Sequence, residues 1–591
     1  MAKIDMHVHS KYSEHPSEWF LQRLGAKESY TEPEFIYQTA KKRGMNFVTI
    51  TDHNRIEGAL RLKDRYPDDV IVGVESTTYF PDNGCKIHIL LYGIDEKQFE
   101  QIQELRKDIF TFREYIRAEN LAYSVAHATF SVNKKLTREH IEKLILLFDV
   151  FEGINGGRNY QSNIHCMDIL KQLTPAHLER LQEQYQIEPL DKSSWKKSFT
   201  AGSDDHSGLF VGQTYTLSEG AAVKDVLDNI KHKNCAPMGR HNDYKSLAFT
   251  VYKIAYDFSR SQQKVLTGSF AGRLTENIFE SKPFDLKHKL QFYRLKTKKR
   301  KDQNRIPVLL VELIDEIKKI KPTDLDNRLE IVYSKTAEIA DEYFRKVLDS
   351  LKKELASGDL VNFIMNLSSS IPGIFLSLPF FTAIKHMFHS RHLVEELRTS
   401  LNILPENQSK KILWFTDTID DSNIISQNLR QVAWRSFRNG NRIRIVTSMA
   451  PDKKASDIPP NLIFIPSIFQ TDLPGNKNIT LHFPSILKSL QIINIEEPTE
   501  IYISTPGPIG LLGLMFSRLL NVSCTGIYHT DWTLAFSSIS QDDSLTQLMK
   551  NYSRWFYSLM DAIKVNSSSN MDLLESQGLN RSKMEVLEQI A

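Results

Sequence analysis

Seven short apolar runs in residues 1–245 lead straight into, or carry, residues able to bind metal ions. KIDMHVH ends in His7 and His9, and FVTITDH in Asp52 and His53. VIVGVES carries Glu75, KIHILLYG carries His88 and AYSVAHA carries His127. FDVFEGING ends in Glu152 and Asn155, and SFTAGSDDH in Asp204 and His206. Few folds fit this pattern. Alternate side chains of a strand share a face, so His7 and His9 aim at one point. Strands that all present such residues at or near their C-terminal ends predict a barrel or an open α/β sheet with its site on one rim. Imidazole and carboxylate are the ligands of zinc, iron and manganese. Seven histidines (His15 included) and two acids are too many for one ion. They predict two or three divalent ions with a bridging carboxylate, and no organic cofactor.

The motifs occur in a fixed order: DMHVHSKYSEHP, TITDHN, VGVES, CKIHILLYG, SVAHATF and AGSDDHSG. That order resembles the polymerase and histidinol phosphatase (PHP) superfamily over residues 1 to about 245. The resemblance implies a distorted (β/α)7 barrel with a trinuclear centre. Carried over by position, His7, His9, Glu75 and Asp204 hold one ion. Glu75 bridges to a second, held by His88 and His127, and His15, His53 and His206 hold the third. Asp52 is placed behind His53 as its orienting partner. The implied activity is hydrolysis of a phosphate ester by metal-activated water, since clustered cations neutralise phosphate and lower the pKa of bound water towards neutrality. EGINGGRNYQSN follows a predicted strand and so lies near the same rim. Within it, Arg158 pairs with a substrate phosphate or is a surface-loop arginine; Asn155 and Asn159 are the neighbouring substrate-binding candidates.

The rest of the chain divides in two. Residues 246–409 lose their strand signals and become a Lys/Glu-rich helical region. It contains a basic cluster, Lys287–Arg305, and an uncharged stretch, Val361–Ile384. The basic cluster reads as a solvated face or linker, or as a contact for an anionic partner. The uncharged stretch is long enough to span a bilayer, but Asn362, Asn366, Pro372 and Pro379 make it a poor spanning helix. A buried helical hairpin is expected there, with peripheral membrane contact as the alternative. Four widely spaced cysteines without CxxC spacing, and no N-terminal secretion signal, lead us to expect a cytoplasmic protein. The net charge of +3 gives no reason to expect nucleic acid, and the basic residues cluster outside the expected barrel. A small phosphorylated substrate is the expected partner.

From about 410, β/α alternation returns with KKILWFTDT, RIRIVTS, EIYISTPG and CTGIYHTDW. The turn at Gly507 and Gly510 would let backbone approach a ligand at a helix N-terminus. ISTPGPIGLLGLMFSRLL followed by GIYHTDW resembles the N-terminal, Rossmann-like half of a family 4 glycosyltransferase of the GT-B fold, over residues 410–591. The resemblance implies that His529 lies in the sugar cleft. Two departures stand out: no glycine follows the first strand in DTIDDSNIISQNL, and the sequence stops before the nucleotide-sugar half. Sugar transfer by this chain alone is therefore not expected; a second chain would supply the other half. Three readings follow: a metal-dependent phosphoesterase, a component of a glycosyltransferase acting on a sugar or lipid acceptor, or a non-catalytic binding scaffold.

Overall fold

The computed structural model describes residues 1–14, 26–262, 276, 278–279, 305–321, 324–357, 371–403, 410–419, 424–449, 459–473, 476–528 and 543–587. The chain forms two compact units, Met1–Gln291 with Thr382–Pro405, and Phe292–Phe381 with Glu406–Ala591. The stretch 246–409, read from the sequence as one helical region, is shared between them.

Among the described residues the first unit is built on nine strands: β1 (Ala2–Asp5), β2 (Phe47–Ile50), β3 (Val70–Tyr79), β4 (Lys86–Tyr92), β5 (Ala122–Val125), β6 (Val150–Asn155), β7 (Ser198–Gly202), β8 (Thr214–Ser218) and β9 (Cys235–Gly239). Their order is β7-β6-β5-β4-β3-β2-β1-β8-β9. The sheet curls until its first and seventh strands meet. The Met6 amide donates to the Ala201 carbonyl (3.4 Å) and the Asp204 amide to the His7 carbonyl (2.7 Å). Val8 and Asp205 form a parallel bridge beyond the strand ends. Gly202 permits this approach, because a Cβ there would lie 2.3 Å from the His7 amide nitrogen and Cβ.

The expected run of strands all pointing one way is not what forms. β4 is antiparallel to both β3 and β5. Only the short segment 80–85 separates β3 from β4, so the chain turns back as a hairpin instead of crossing over through a helix. His88 thus sits near the N-terminal end of β4, opposite Thr77 of β3, and still reaches the ligand-bearing rim.

Helices cover the sheet through a buried cluster that includes Ile36, Leu62, Ile102, Phe112, Leu144, Ile169 and Leu181. Each such side chain contributes about 1.5–3 kcal/mol on burial. The stretch 95–120 makes two helices, Glu96–Leu105 and Ile109–Ala118. Asp95 and Asp108 cap them by accepting from the amides of Gln98 and Phe110.

The second unit holds an eight-stranded sheet, ordered β13-β12-β11-β10-β14-β15-β16-β17 among the described residues. β10 (Ile412–Phe415), β11 (Ile443–Met449), β12 (Leu462–Leu473), β14 (Glu500–Ile503), β15 (Ser523–Tyr528), β16 (Ala562–Val565) and β17 (Met584–Val586) run parallel. β13 (Asn476–Pro484) is antiparallel to β12. The sheet is Rossmann-like, and its strand order reverses between β10 and β14, where such folds form a crevice.

No helix among the described residues is long and apolar enough to cross a membrane. Of the uncharged stretch, 361–370 lie outside the described residues, and the remainder opens the helix Ile371–Phe388, which contains Pro379. Residues 287–304 of the basic cluster also lie outside them.

Candidate metal centre

Alternation along β1 and its extension buries His7 and His9 side by side, with their Nε2 atoms 3.1 Å apart. Glu75, at mid-strand in the long β3, comes up beneath them. Its Oε2 lies 3.2 Å from both Nε2 atoms. Asp204, just past β7, places Oδ1 at 3.4 Å from His7 and 3.2 Å from His9. Four donor atoms therefore converge. The other Glu75 oxygen, Oε1, meets His88 Nδ1 at 2.6 Å and His127 Nε2 at 3.2 Å. His53 Nδ1 approaches Oε2 at 3.0 Å.

Among the described residues, three sets of donor atoms have all members within 4.8 Å of one another: His7, His9 and Asp204; His9, His53 and His206; and His53, Glu75 and His88. His127 belongs to none of these; its Nε2 meets Glu75 Oε1, its ring packs against His7 and His88, and its amide donates to Glu152. His15, expected in the third set, lies outside the described residues.

The donor chemistry fits divalent cations. Glu75 Oε2, His88 Nδ1 and His206 Nε2 are buried without a hydrogen bond of acceptable geometry, although ligand-type atoms crowd them. Atoms close together but out of hydrogen-bond line are disposed as ligands of a shared ion. The outer nitrogens are tied off separately. His7 Nδ1 bonds Glu152 Oε1 (2.9 Å), His9 Nδ1 bonds Ser13 Oγ (3.0 Å), and His206 Nδ1 donates to the Asp204 carbonyl (2.9 Å). Such partners fix the tautomer and aim the inner nitrogen. Backbone strain marks the same place: His127 (φ 31°) and Asp204 (φ 48°) adopt the left-handed region without being glycine. Strain of this kind collects at functional sites.

Electrostatics follow from burial and crowding. Burial opposes the charged form of His9, but the carboxylates of Asp204 and Glu75 beside it overcome burial and raise its pKa to about 10. Burial alone would raise Glu75; the charges of His53 and His7 hold it well below the carboxylate range. Burial wins at His88 and lowers it to about 4, which leaves a neutral imidazole. The cluster is thus two ionised acids facing imidazole nitrogens, one of them fixed neutral.

Several candidates do other work than expected. Asp52 does not touch the His53 ring. It accepts from the Ser10 amide and hydroxyl (both 2.6 Å) and from Ser13 Oγ (3.1 Å), and so steadies the loop that carries His9. The strand direction at β2 points Asp52 back towards β1. Asn155 faces inward, donating to Glu152 (2.8 Å) and Asp204 (3.1 Å), and so orients acids instead of substrate. Asn159 caps the helix Tyr160–Lys171 by accepting from the Ser162 amide. Arg158 does reach the rim. Its guanidinium lies 3.5 Å from the centre of the Phe130 ring and bonds His386. The two residues line one cleft with Asp204, His206 and Glu28.

Sequence reading missed Glu28 and His386 and gave Glu152 no role. Glu28 lies in an irregular loop without periodicity. His386 stands 228 positions from Arg158 in the helical stretch, so no local signal connects the two.

In the second unit, the turn at Gly507 and Gly510 is already filled. Asp417, two residues beyond β10, accepts from Thr505 Oγ1 (2.5 Å) and from the amides of Ile509 (2.9 Å) and Gly510 (3.4 Å). A Cβ on Gly507 would lie 2.5 Å from Asp417 Oδ2, and one on Gly510 would lie 1.8 Å from the Thr505 carbonyl oxygen. The glycines admit an internal carboxylate to the N-terminus of the helix Pro508–Leu520, in place of the expected ligand. His529 lies outside the described residues.

Comparison with known proteins finds a similarity within the second unit: the model of Glycosyltransferase Family 4 matches residues 429–588. The chain is 38% identical over 79 residues to the uncharacterized protein MJ1587 of Methanocaldococcus jannaschii, a match covering 13% of this chain. It spans 44% of the length of that relative. A solved structure from Bifidobacterium adolescentis, provisionally named a metal-dependent phosphoesterase, aligns with 39% of this chain and 96% of its own, at 14% identity and a TM-score of 0.22.

Proposed function

We propose that the first unit is a metal-dependent phosphoesterase with a distorted (β/α)7 barrel of the PHP type, acting on a small phosphorylated molecule. One observation carries the reading: the Nε2 atoms of His7 and His9, Glu75 Oε2 and Asp204 Oδ1 converge in a buried pocket, with His53, His88, His127 and His206 around them. Bound zinc, manganese or iron ions would polarise the phosphate and acidify a water. The chain's own groups do the rest. Glu75 offers its two oxygens to two sides of the cluster. Glu152 holds His7 and, through Asn155, the orientation of Asp204. Arg158, stacked on Phe130 beside the cleft, pairs with a phosphate oxygen.

The test is elemental analysis of the purified full chain, with hydrolysis of p-nitrophenyl phosphate and bis-p-nitrophenyl phosphate with and without manganese. Two or three ions per chain, and turnover abolished in His9→Ala, are expected. Absence of both metal and turnover after reconstitution would sink the proposal and leave a binding scaffold. A second reading has the family match at 429–588 in its favour. In it the second unit is the Rossmann-like half of a GT-B glycosyltransferase. Nucleotide-sugar binding by the protein, lost when this unit's sheet is disrupted, would support it.

A further inference from the structure

The resemblance carries His15, His53 and His206 to one ion, yet the residue found against His53 and His206 is an acid from elsewhere. Glu28 is buried at 5% exposure and places Oε2 at 3.1 Å from His53 Nε2 and Oε1 at 3.5 Å from His206 Nε2. Both imidazoles have their other nitrogen engaged. His53 Nδ1 faces Glu75 at 3.0 Å. His206 Nδ1 must donate to the Asp204 carbonyl, since a carbonyl oxygen has no proton to give. In the neutral imidazole His206 Nε2 is then a lone pair aimed at a carboxylate, and two acceptors facing each other in a buried site repel unless a proton or a metal ion lies between them. The nearer acid of the N-terminal motif is turned away: Glu14 pairs with Lys27 and Arg55.

We infer that Glu28 is a metal ligand, and that with His53 and His206 it forms a two-histidine, one-carboxylate site for a divalent cation. This rests on the metal-centre reading above and deepens it. The donor set is one used for zinc and for iron(II), and three protein ligands leave coordination positions open. Glu28 and His206 also line the cleft that holds Arg158, so an ion held by them would border that cleft.

The experiment is titration of metal-free full-length protein with Mn²⁺, with free Mn²⁺ followed by electron paramagnetic resonance and folding checked by circular dichroism. Wild type should show three sites. Glu28→Gln, which keeps the shape and removes the charge, should lose one site or weaken it by at least roughly 10–100-fold, the range seen when even an outer partner is removed. The remaining sites should be unchanged, and His15→Ala should retain all three. If Glu28→Gln does not fold, Glu28→Asp decides the matter: a ligand withdrawn by one methylene weakens one site alone, whereas a structural ion pair leaves every affinity equal. Three wild-type affinities in folded Glu28→Gln overturn the inference. So does loss of the third site in His15→Ala with Glu28→Gln unaffected. Either result leaves the metal-centre reading standing, whereas a wild type that binds no Mn²⁺ removes that reading as well.

Discussion

Glu75, buried at mid-strand in the first unit, and Asp417, half-buried just past a strand end in the second, are both carboxylates enclosed by polar groups, and their surroundings are opposite. Asp417 is met by donors in line: a hydroxyl at 2.5 Å and a backbone amide at 2.9 Å. Glu75 is met by imidazole nitrogens at 2.6–3.2 Å, and its Oε2 receives no hydrogen bond of acceptable geometry. Burial raises the Asp417 pKa to about 6, because neutral donors only partly offset desolvation. The Glu75 pKa is held well below the usual range by the histidines that overcome burial. A carboxylate among neutral donors completes itself. A carboxylate crowded by imidazoles stays ionised only with positive charge beside it, from protons on those rings or from a metal ion.

The sharpest way to break this contrast is to neutralise each acid. Glu75→Gln should strip metal from the cluster and cut phosphate-ester turnover by more than about 100-fold, above the range for an outer partner. Asp417→Asn should leave metal content and turnover unchanged. Equal losses in both, by elemental analysis and p-nitrophenyl phosphate assay, would abolish the distinction.

Asp417 also sets a pH dependence. Its ordinary value is 3.8 and its folded value about 6. Below the first, both states hold the proton and its contribution is fully present. Between them the folded state alone holds it, so stability falls as pH rises through 6. The span corresponds to about 3 kcal/mol at most. Denaturant unfolding of the second unit's transition between pH 4 and 7 should show the fall, and Asp417→Asn should flatten it.

Smaller effects sharpen the metal side. Glu152→Gln keeps a hydrogen-bonding group against His7 but loses the charge, and should weaken metal binding roughly 10–100-fold in a chelator competition assay. Arg158→Met should raise KM about tenfold with kcat little changed, the loss of one charge-assisted hydrogen bond. A fall in kcat alone would place Arg158 elsewhere in the reaction.

What the sequence by itself determined is the local part. Runs such as KIDMHVH and SFTAGSDDH place ligand-type residues next to β-forming segments, because a strand's period of two is written in consecutive residues. The Rossmann-like alternation after 410 was legible for the same reason. Tertiary structure decided what depends on residues distant in sequence. The hairpin at β3–β4 reversed one strand, which alternation cannot show. Asp52 turned to Ser10 and Ser13, and Asn155 to Glu152 and Asp204, because side-chain partners are chosen by neighbours across the barrel. Glu28 entered from a loop with no periodic signal, and His386 from a helix 228 positions beyond Arg158. Gly507 and Gly510 read as a ligand turn until Asp417, 88 residues before the Thr505 hydroxyl it accepts from, filled it. Periodicity encodes the face a residue takes. Only the packed chain decides which atom meets it there.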